Sequence, residues 1–288
     1  MNSKIKNRLT PILFAVITAA VITAAVVSVC VGKYTITTAD IQAILKGEQV
    51  QEMTRKVFTT LRLPRTVMAL IAGVGLGIAG SVYQIIFKNP LASPDIIGIA
   101  GGANLGAAVA IVSVSTSGMI AIAAGAFWGG LAAMEYWEMG TFGNTTLSKL
   151  LSIRPMFLIG LAGILLLRRQ IELMSLSDNE CRALGVRLRP VRAAVLALST
   201  LMVGSIISVT GLISFAGLIA PHTARLMLRR NDSTTIIMSG LVGAFVVLTA
   251  DILARVLYSA ELPISILTTV IGVPILIYFL CARGKDVS

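Results

Sequence analysis

Apolar residues are collected in long blocks that are separated by short polar stretches. Most blocks are about twenty residues long, the length a helix needs to cross the hydrocarbon core of a bilayer. The blocks do not alternate apolar and polar residues, as the strands of a membrane β-barrel do. The pattern predicts an all-α polytopic membrane protein whose spans belong to one domain, residues 1–288. The predicted spans are 11–32, 66–86, 95–112, 118–134, 146–167, 191–210, 234–256 and 264–281, with a shorter apolar piece at 214–224.

Composition supports a membrane location, and in a membrane protein the positive charge indicates which segments face the cytoplasm. The chain is 56% hydrophobic and 13% charged, whereas soluble domains carry about 25% charged residues. Its net charge is +11, and in membrane proteins Lys and Arg accumulate on the cytoplasmic side. Because the sequence has no separate soluble domain that could hold a nucleic acid, we expect membrane lipid around the chain and no nucleic-acid partner.

Motifs for catalysis or cofactor binding are lacking. The three cysteines are far apart and His222 is the only histidine, whereas metal sites need clustered ligands. No P-loop, H-E-x-x-H or G-x-S-x-G motif occurs. Gly75, Gly77 and Gly80 fit a dinucleotide fingerprint, but they lie inside an apolar block, where small residues let helices pack closely. We therefore predict no enzyme activity, no catalytic residue, no metal and no cofactor.

A strongly polar loop separates the fifth and sixth predicted spans. Residues 168–192 contain six arginines, which indicates a cytoplasmic location. Ser177 and Glu180 have the spacing of a capping box, and Gly185 fits the position just past a helix end. We therefore predict a helix of about seven residues, roughly 10 Å long. It is either an ordinary capped loop helix or a projection that docks a soluble partner.

The stretch before the second span is unusually basic for its side of the membrane. If the arginine-rich loop is cytoplasmic, residues 33–65 lie outside, and they include Arg62 and Arg65 of the sequence LRLPR. Asp251 and Arg255 are four residues apart and share one helix face at the outer end of their span. These outer charges are either headgroup anchors or contacts for something outside the membrane.

An apolar segment near residue 215 contains helix-breaking residues. Gly211, Gly217 and Pro221 lie within residues 211–226, and one continuous helix tolerates such residues poorly. A broken helix at membrane depth is accepted where protein or an aqueous cavity covers its backbone. The alternatives are a kinked span and a short half-helix beside a translocation path, of which we favour the second. His222 is interpreted as a structural or pore-lining residue.

Six motifs occur in the order found in one transporter family. They are LRLPR (61–65), NPLASPD (89–95), ALGV (183–186), GLISFAGLIAPH (211–222), ADILAR (250–255) and ELPISILTTVIGVP (261–274). In this order they resemble the FecCD-like permeases of ABC importers for iron–siderophore complexes, haem and cobalamin. The resemblance covers nearly the whole chain.

The resemblance implies an architecture and a set of partners. Such permeases have ten spans per subunit and form a dimer with a second permease subunit, which is identical or different. Two ATP-binding subunits lie below and a substrate-binding protein lies outside, so that ATP hydrolysis belongs to a partner. We therefore predict a multi-pass permease of the bacterial cell membrane, the inner or plasma membrane, that imports ferric siderophore.

The resemblance also implies roles for individual residues. The predicted residues for docking the binding protein are Arg62, Arg65 and Arg255. The helix at about 177–186 would be the element that couples to the ATPase, with the residues Ser177, Glu180, Ala183, Leu184 and Gly185. The cytoplasmic gate would include Asn89 and Leu91. The pore or half-helix residues would be Gly211, Gly217, Pro221 and His222.

The chain departs from the family pattern in one region. About forty residues are lacking between the third span and YWEMG (136–140), roughly one spanning helix with its flanks. We therefore expect eight or nine spans where the family has ten. With the N-terminus inside, simple alternation would put residues 168–192 outside, against the charge count. Either block 118–138 does not cross fully, or a helix has been lost and the chain is a truncated, non-functional permease.

The alternative class is a secondary transporter driven by an ion gradient. Such a protein needs intramembrane carboxylates that couple the ion to the substrate. Asp251 is the obvious candidate in this sequence.

Overall fold

Within the described part of the chain, every secondary-structure element is a helix. The structure is a computed structural model. It describes the backbone of residues 3–94, 140–257 and 262–284, and the side chains of residues 9–94, 140–257 and 262–277. The predicted spans 95–112 and 118–134 lie outside the described residues. The predicted total of eight or nine spans therefore stays a prediction.

Five of the described helical segments are long and apolar enough to cross a membrane. These are Leu9–Cys30, Glu52–Ile86, Leu147–Leu166, Leu188–Thr210 and Ser233–Val256. In chain order the helices are α1 (Ser3–Cys30), α2 (Thr38–Lys46), α3 (Glu52–Lys56), a π-helix (Val57–Arg62), α4 (Leu63–Ile86), α5 (Leu147–Leu166), α6 (Arg168–Leu173), α7 (Asp178–Ala183), α8 (Leu188–Thr210), α9 (Ala216–Leu228), α10 (Ser233–Val256) and α11 (Ile264–Gly284). The prediction of an all-α membrane protein is confirmed.

Helix α4 is the centre of the described bundle and packs against α10 and α9. A β-carbon on Gly77 would lie 2.1 Å from the carbonyl oxygen of Ser239, and one on Gly80 would lie 1.7 Å from that of Gly217. Because any larger residue would overlap these backbone atoms, glycine is what allows the helices to approach. The glycines of the apparent dinucleotide fingerprint therefore serve helix packing, as predicted.

Contacts at the two ends of α4 define two faces of the bundle. Near its start Arg65 pairs with Asp251, which lies near the end of α10. Just after its end Lys88 pairs with Asp178, the first residue of α7. Since α4 has 24 residues and a helix rises about 1.5 Å per residue, these contacts are roughly 36 Å apart. We call the Arg65 end the outer face and the Lys88 end the inner face.

The start of α1 and the arginine-rich loop lie on the same face. The end of α1 reaches the outer face, where Arg255 donates a hydrogen bond to the carbonyl oxygen of Ser28 at 2.9 Å. The start of α1 therefore points to the inner face, which also carries α7. This agrees with the charge count, and the simple alternation that would place residues 168–192 outside is wrong for this chain.

Helix α9 is a separate short helix that begins after a break in the chain. Gly211 and Phe215 have positive φ angles of 69° and 63°, a conformation that interrupts a right-handed helix. The 13 residues of α9 extend about 20 Å, less than the roughly 30 Å of a hydrocarbon core. The predicted half-helix is confirmed, with the bounds Ala216–Leu228 instead of 214–224.

Candidate functional site

A buried carboxylate at the outer face holds two of the three predicted docking arginines. Nε of Arg65 donates to Oδ1 of Asp251 at 2.9 Å, and Nη2 of Arg255 lies 2.9 Å from Oδ2. The side chains of Asp251, Arg65 and Arg255 are 0%, 9% and 6% exposed. One helical turn separates Asp251 from Arg255, whereas Arg65 comes from α4. Burial of a carboxylate is tolerated because such partners compensate for its lost hydration.

Two of the predicted docking arginines also bind the end of α1 and the residues just after it. Arg255 donates to the carbonyl oxygens of Ser28 at 2.9 Å and Val31 at 3.1 Å. Arg62 donates to the carbonyl oxygens of Val31 at 2.5 Å and Tyr34 at 3.3 Å. The last carbonyl groups of a helix have no partner within the helix and carry partial negative charge. The guanidinium groups bind the carbonyl oxygen of Ser28 in the last turn of α1 and those of Val31 and Tyr34 just beyond it, and so fix the end of α1 against α4 and α10.

A cavity of about 330 Å³ lies among the three arginines. Its lining residues are Gly32, Lys33, Tyr34, Met53, Val57, Leu61, Arg62, Arg65, Gly143 and Arg255. Met53 and Leu61 are more than half exposed, so the cavity reaches the outer surface. The arginines therefore line a recess at the outer face and do not project from it. Their role in docking stays a prediction.

The predicted loop helix is present at the inner face as α7. The backbone N–H of Glu180 donates to Oγ of Ser177 at 3.3 Å, and the N–H of Ser177 donates to Oε2 of Glu180 at 2.8 Å. The predicted capping box is confirmed, and hydrogen bonds from Ser177 lower the pKa of Glu180. Gly185 has a φ of 78°, the left-handed conformation expected just past a helix end.

The end of α7 projects from the described bundle. Leu184 is 60% exposed, its neighbours Ala183 and Gly185 are exposed, and a β-carbon on Gly185 would have nothing within 4 Å. The opposite side is anchored, because Cys181 is buried and its thiol donates to the carbonyl oxygen of Leu173 at 3.0 Å. An apolar end on an anchored helix fits a docking projection better than an ordinary loop helix.

Asp178 carries an interaction that sequence reasoning missed. Its Oδ1 accepts hydrogen bonds from Arg192 at 2.8 Å and from Lys88 at 2.9 Å. These two bonds, that from Arg192 first, lower the pKa of Asp178 from 3.8 to about 2. Any stabilisation from this shift is present above pH 3.8 and is lost as the pH falls through about 2. The only sequence signal for this interaction was the position of Asp178 between the capping-box residues Ser177 and Glu180.

The predicted gate residues lie in a tight turn after α4. Oδ1 of Asn89 accepts the N–H of Leu91 at 2.9 Å, and its carbonyl oxygen accepts the N–H of Ala92 at 3.1 Å. Such bonds from an asparagine side chain fix a reversal of the chain. Leu91 is 36% exposed. The gating role of Asn89 and Leu91 stays a prediction.

The half-helix takes part in a buried polar contact that the sequence did not predict. Arg225 donates a hydrogen bond to Oε1 of Gln84, and Gln84 is 5% exposed. Nη2 of Arg225 also lies 3.2 Å from Nδ1 of His222. Nε2 of Gln84 donates to the carbonyl oxygen of Leu218 at 3.5 Å. These contacts join α4 to α9 and give His222 a structural partner. The pore role of Gly211, Gly217, Pro221 and His222 stays a prediction.

The helical bundle, its internal half-helix and the polar features on both faces are features expected of a membrane transport permease. The sequence profile of the FecCD transport family matches residues 17–135 and 131–282. Because these matches cover more than half of the chain, the chain belongs to the FecCD transport family.

Individual relatives agree with this assignment. The molybdate import system permease protein MolB of Haemophilus influenzae is 32% identical, over 95% of this chain and 96% of that protein. The hemin transport system permease protein HmuU of Yersinia pestis is 29% identical, over 81% and 85%. The Fe(3+) dicitrate transport system permease protein FecC of Escherichia coli is 28% identical, over 88% and 92%.

A solved structure agrees as well. A metal-chelate type ABC transporter in an inward-facing conformation has 30% sequence identity and a TM-score of 0.79, over 95% of this chain and 99% of that chain. The protein is therefore the permease subunit of an ABC importer, a multi-pass protein of the bacterial inner membrane, and ATP is hydrolysed by a separate subunit. The alternative of a transporter driven by an ion gradient is wrong.

The comparisons also support the predicted internal deficit. The two family matches overlap at residues 131–135, close to the position at which the sequence departs from the pattern. The match to MolB extends over 328 aligned positions, 40 more than the 288 residues of this chain. Relative to MolB, the chain therefore lacks residues in its interior.

Proposed function

We propose that this permease imports a ferric chelate of the siderophore type. It receives the ligand from an external substrate-binding protein and passes it along a pore shared with a second permease subunit, identical or different. Two ATP-binding subunits drive the transport from the inner face. The placement of a basic recess and an exposed helix end at opposite ends of α4 supports the two sets of soluble partners. The similarity to the Fe(3+) dicitrate permease FecC supports a ferric chelate as the ligand.

The ligand is tested by uptake into cells in which this system is the sole importer of its kind. We expect accumulation of ⁵⁵Fe supplied as ferric siderophore, with no accumulation of ⁹⁹Mo-molybdate and no growth on hemin as the iron source. Uptake of molybdate or hemin alone would contradict the proposed ligand, but the assignment to the ABC importers would still hold. Absence of uptake for all three would support the alternative of a truncated, non-functional permease.

The outer recess is suited to acidic side chains of a binding protein. Arg62, Arg65 and Arg255 line it, and Lys33 also lines it. Complementary charges steer two proteins together and fix their register. A guanidinium in a recess forms a more directional contact with a carboxylate than a mobile surface cation does. We therefore propose that a carboxylate of the binding protein enters this recess.

Lys33→Glu is expected to weaken binding-protein docking by at least about tenfold, because Lys33 is exposed and lines the recess and the change sets a carboxylate against the incoming carboxylate. Lys56→Glu is the matched control, since this substitution makes the same charge change on α3. The Lys56 side chain is 70% exposed and does not line the recess. The docking affinity of this control should remain within about twofold of the parent, as for an exposed pair. Equal affinities of the two variants for the binding protein would contradict the docking role.

The inner face is proposed to couple transport to ATP hydrolysis. Ser177 and Glu180 hold the start of α7 in place, and the exposed residues Ala183, Leu184 and Gly185 would enter a groove of the ATP-binding subunit. Closure of the two ATP-binding subunits would then push α7 and tilt the spans. Asn89 and Leu91 would narrow the inner end of the pore, beside the half-helix α9.

A further inference from the structure

We propose that Asp178 is a positioning residue that links α7 to the gate turn, so that a movement of α7 is transmitted to Asn89 and Leu91. This inference rests on the proposed coupling role of α7 and identifies how that movement leaves the helix. The link consists of Lys88, Asp178 and Arg192, whose charged groups meet at one carboxylate oxygen.

The geometry joins three segments at a single atom. Oδ1 of Asp178 lies 2.9 Å from Nζ of Lys88, which immediately precedes the gate turn, and 2.8 Å from Nη2 of Arg192 in α8. The start of α7 is already capped by Ser177 and Glu180. The Asp178 carboxylate is therefore not needed to cap its own helix and is available to hold the other two segments.

The backbone at Lys88 is a second observation that supports the link. Lys88 follows the end of α4 and has a φ of 49°, a left-handed conformation that glycine or asparagine usually occupies at this position. A lysine adopts it at a conformational cost. A glycine would avoid this cost but has no side chain, whereas the lysine side chain reaches Asp178. The gate turn begins at the next residue, so its start is held by this contact.

The link is expected to serve transmission more than folding. The three side chains are between 31% and 42% exposed, and exposed ion pairs contribute little to stability. The carboxylate remains charged throughout the physiological pH range because its pKa lies at about 2. Variants of the three residues should therefore fold, and a change in their response to ATP can be measured.

The test measures the gate directly in the assembled transporter. Leu91→Cys is introduced together with Cys30→Ser and Cys281→Ser, while Cys181 is kept because it is buried and anchors α7. A water-soluble maleimide then labels the new thiol in detergent-free nanodiscs. In this parent we expect the labelling rate to change by at least about fivefold between the nucleotide-free state and the state trapped with ATP and vanadate, as for an ordinary allosteric coupling. Asp178→Asn and Lys88→Met should each reduce this change to less than about twofold.

The double variant and a control separate a link from independent effects. Because the two residues act through one contact, Asp178→Asn with Lys88→Met should be no worse than either single variant. Arg189→Gln, which removes an exposed charge three residues before Arg192, should retain the full change. A normal ATP response in Asp178→Asn, or additive effects in the double variant, would overturn the link alone. Failure of the parent to assemble with an ATP-binding subunit would overturn the proposed function and the link together.

Discussion

Gly80→Ala is expected to destabilise the protein severely, because no space exists for even one methyl group. The new β-carbon would lie 1.7 Å from the carbonyl oxygen of Gly217 and 2.6 Å from its carbonyl carbon. Backbone atoms cannot rotate away as a side chain can, so α9 would have to separate from α4. Overpacking usually lowers the free energy of unfolding by about 1–3 kcal/mol. Because this clash is with backbone atoms, we expect a loss of about 3 kcal/mol or more.

The measurement is the unfolding midpoint of the purified protein in detergent, compared with that of Gly204→Ala. Gly204 also lies within a spanning helix, but a β-carbon there would meet nothing within 4 Å. Alanine is a better helix former than glycine by about 1 kcal/mol, so the control should be neutral or stabilised. Equal midpoints for the two variants would show that α4 and α9 are not packed at Gly80.

Asp251→Asn is expected to be the most damaging charge substitution at the outer face. It leaves Arg65 and Arg255 without their shared carboxylate in a place where both side chains are less than a tenth exposed. Breaking a buried ion pair by removal of one partner costs about 3–5 kcal/mol. We also expect α1 to loosen, because Arg255 holds the carbonyl oxygens of Ser28 and Val31.

Glu52→Gln provides the comparison for Asp251→Asn. Its carboxylate pairs with Lys56 at 2.7 Å, but the two side chains are 80% and 70% exposed, and exposed pairs are worth about 0–1 kcal/mol. Unfolding followed by denaturant should therefore barely change in this control. A similarly small effect of Asp251→Asn on the free energy of unfolding would mean that the outer cluster is solvated and does not hold the helices together.

Features that depend on neighbouring residues were predictable from the sequence. The long apolar blocks, the capping box of Ser177 and Glu180 and the break at Gly211 each have a local physical cause. Within the described residues, the structure has long apolar helices, the capping box and the break. Local signals are imprecise at boundaries. The short apolar piece was expected at 214–224, whereas the helix in this region spans Ala216–Leu228.

Contacts between distant residues could not be predicted in this way. Arg65 and Asp251 are 186 positions apart, and nothing in either segment indicates the other. The outer arginines were therefore expected to project outward, whereas the fold turns them into a recess. Simple alternation of the spans failed for a similar reason, because the sequence alone does not show how many times the chain crosses between the end of α4 and α7, which both lie at the inner face.

The two faces of the bundle are proposed to engage different soluble partners. Photo-crosslinking tests this when benzoylphenylalanine replaces Leu184 at the inner face or Leu61 at the outer face, positions that are 60% and 56% exposed. In membranes that contain the complete system, position 184 should form an adduct with the ATP-binding subunit and position 61 with the external binding protein. An adduct between position 184 and the binding protein, or labelling of position 184 by a membrane-impermeant reagent added from outside, would contradict the account.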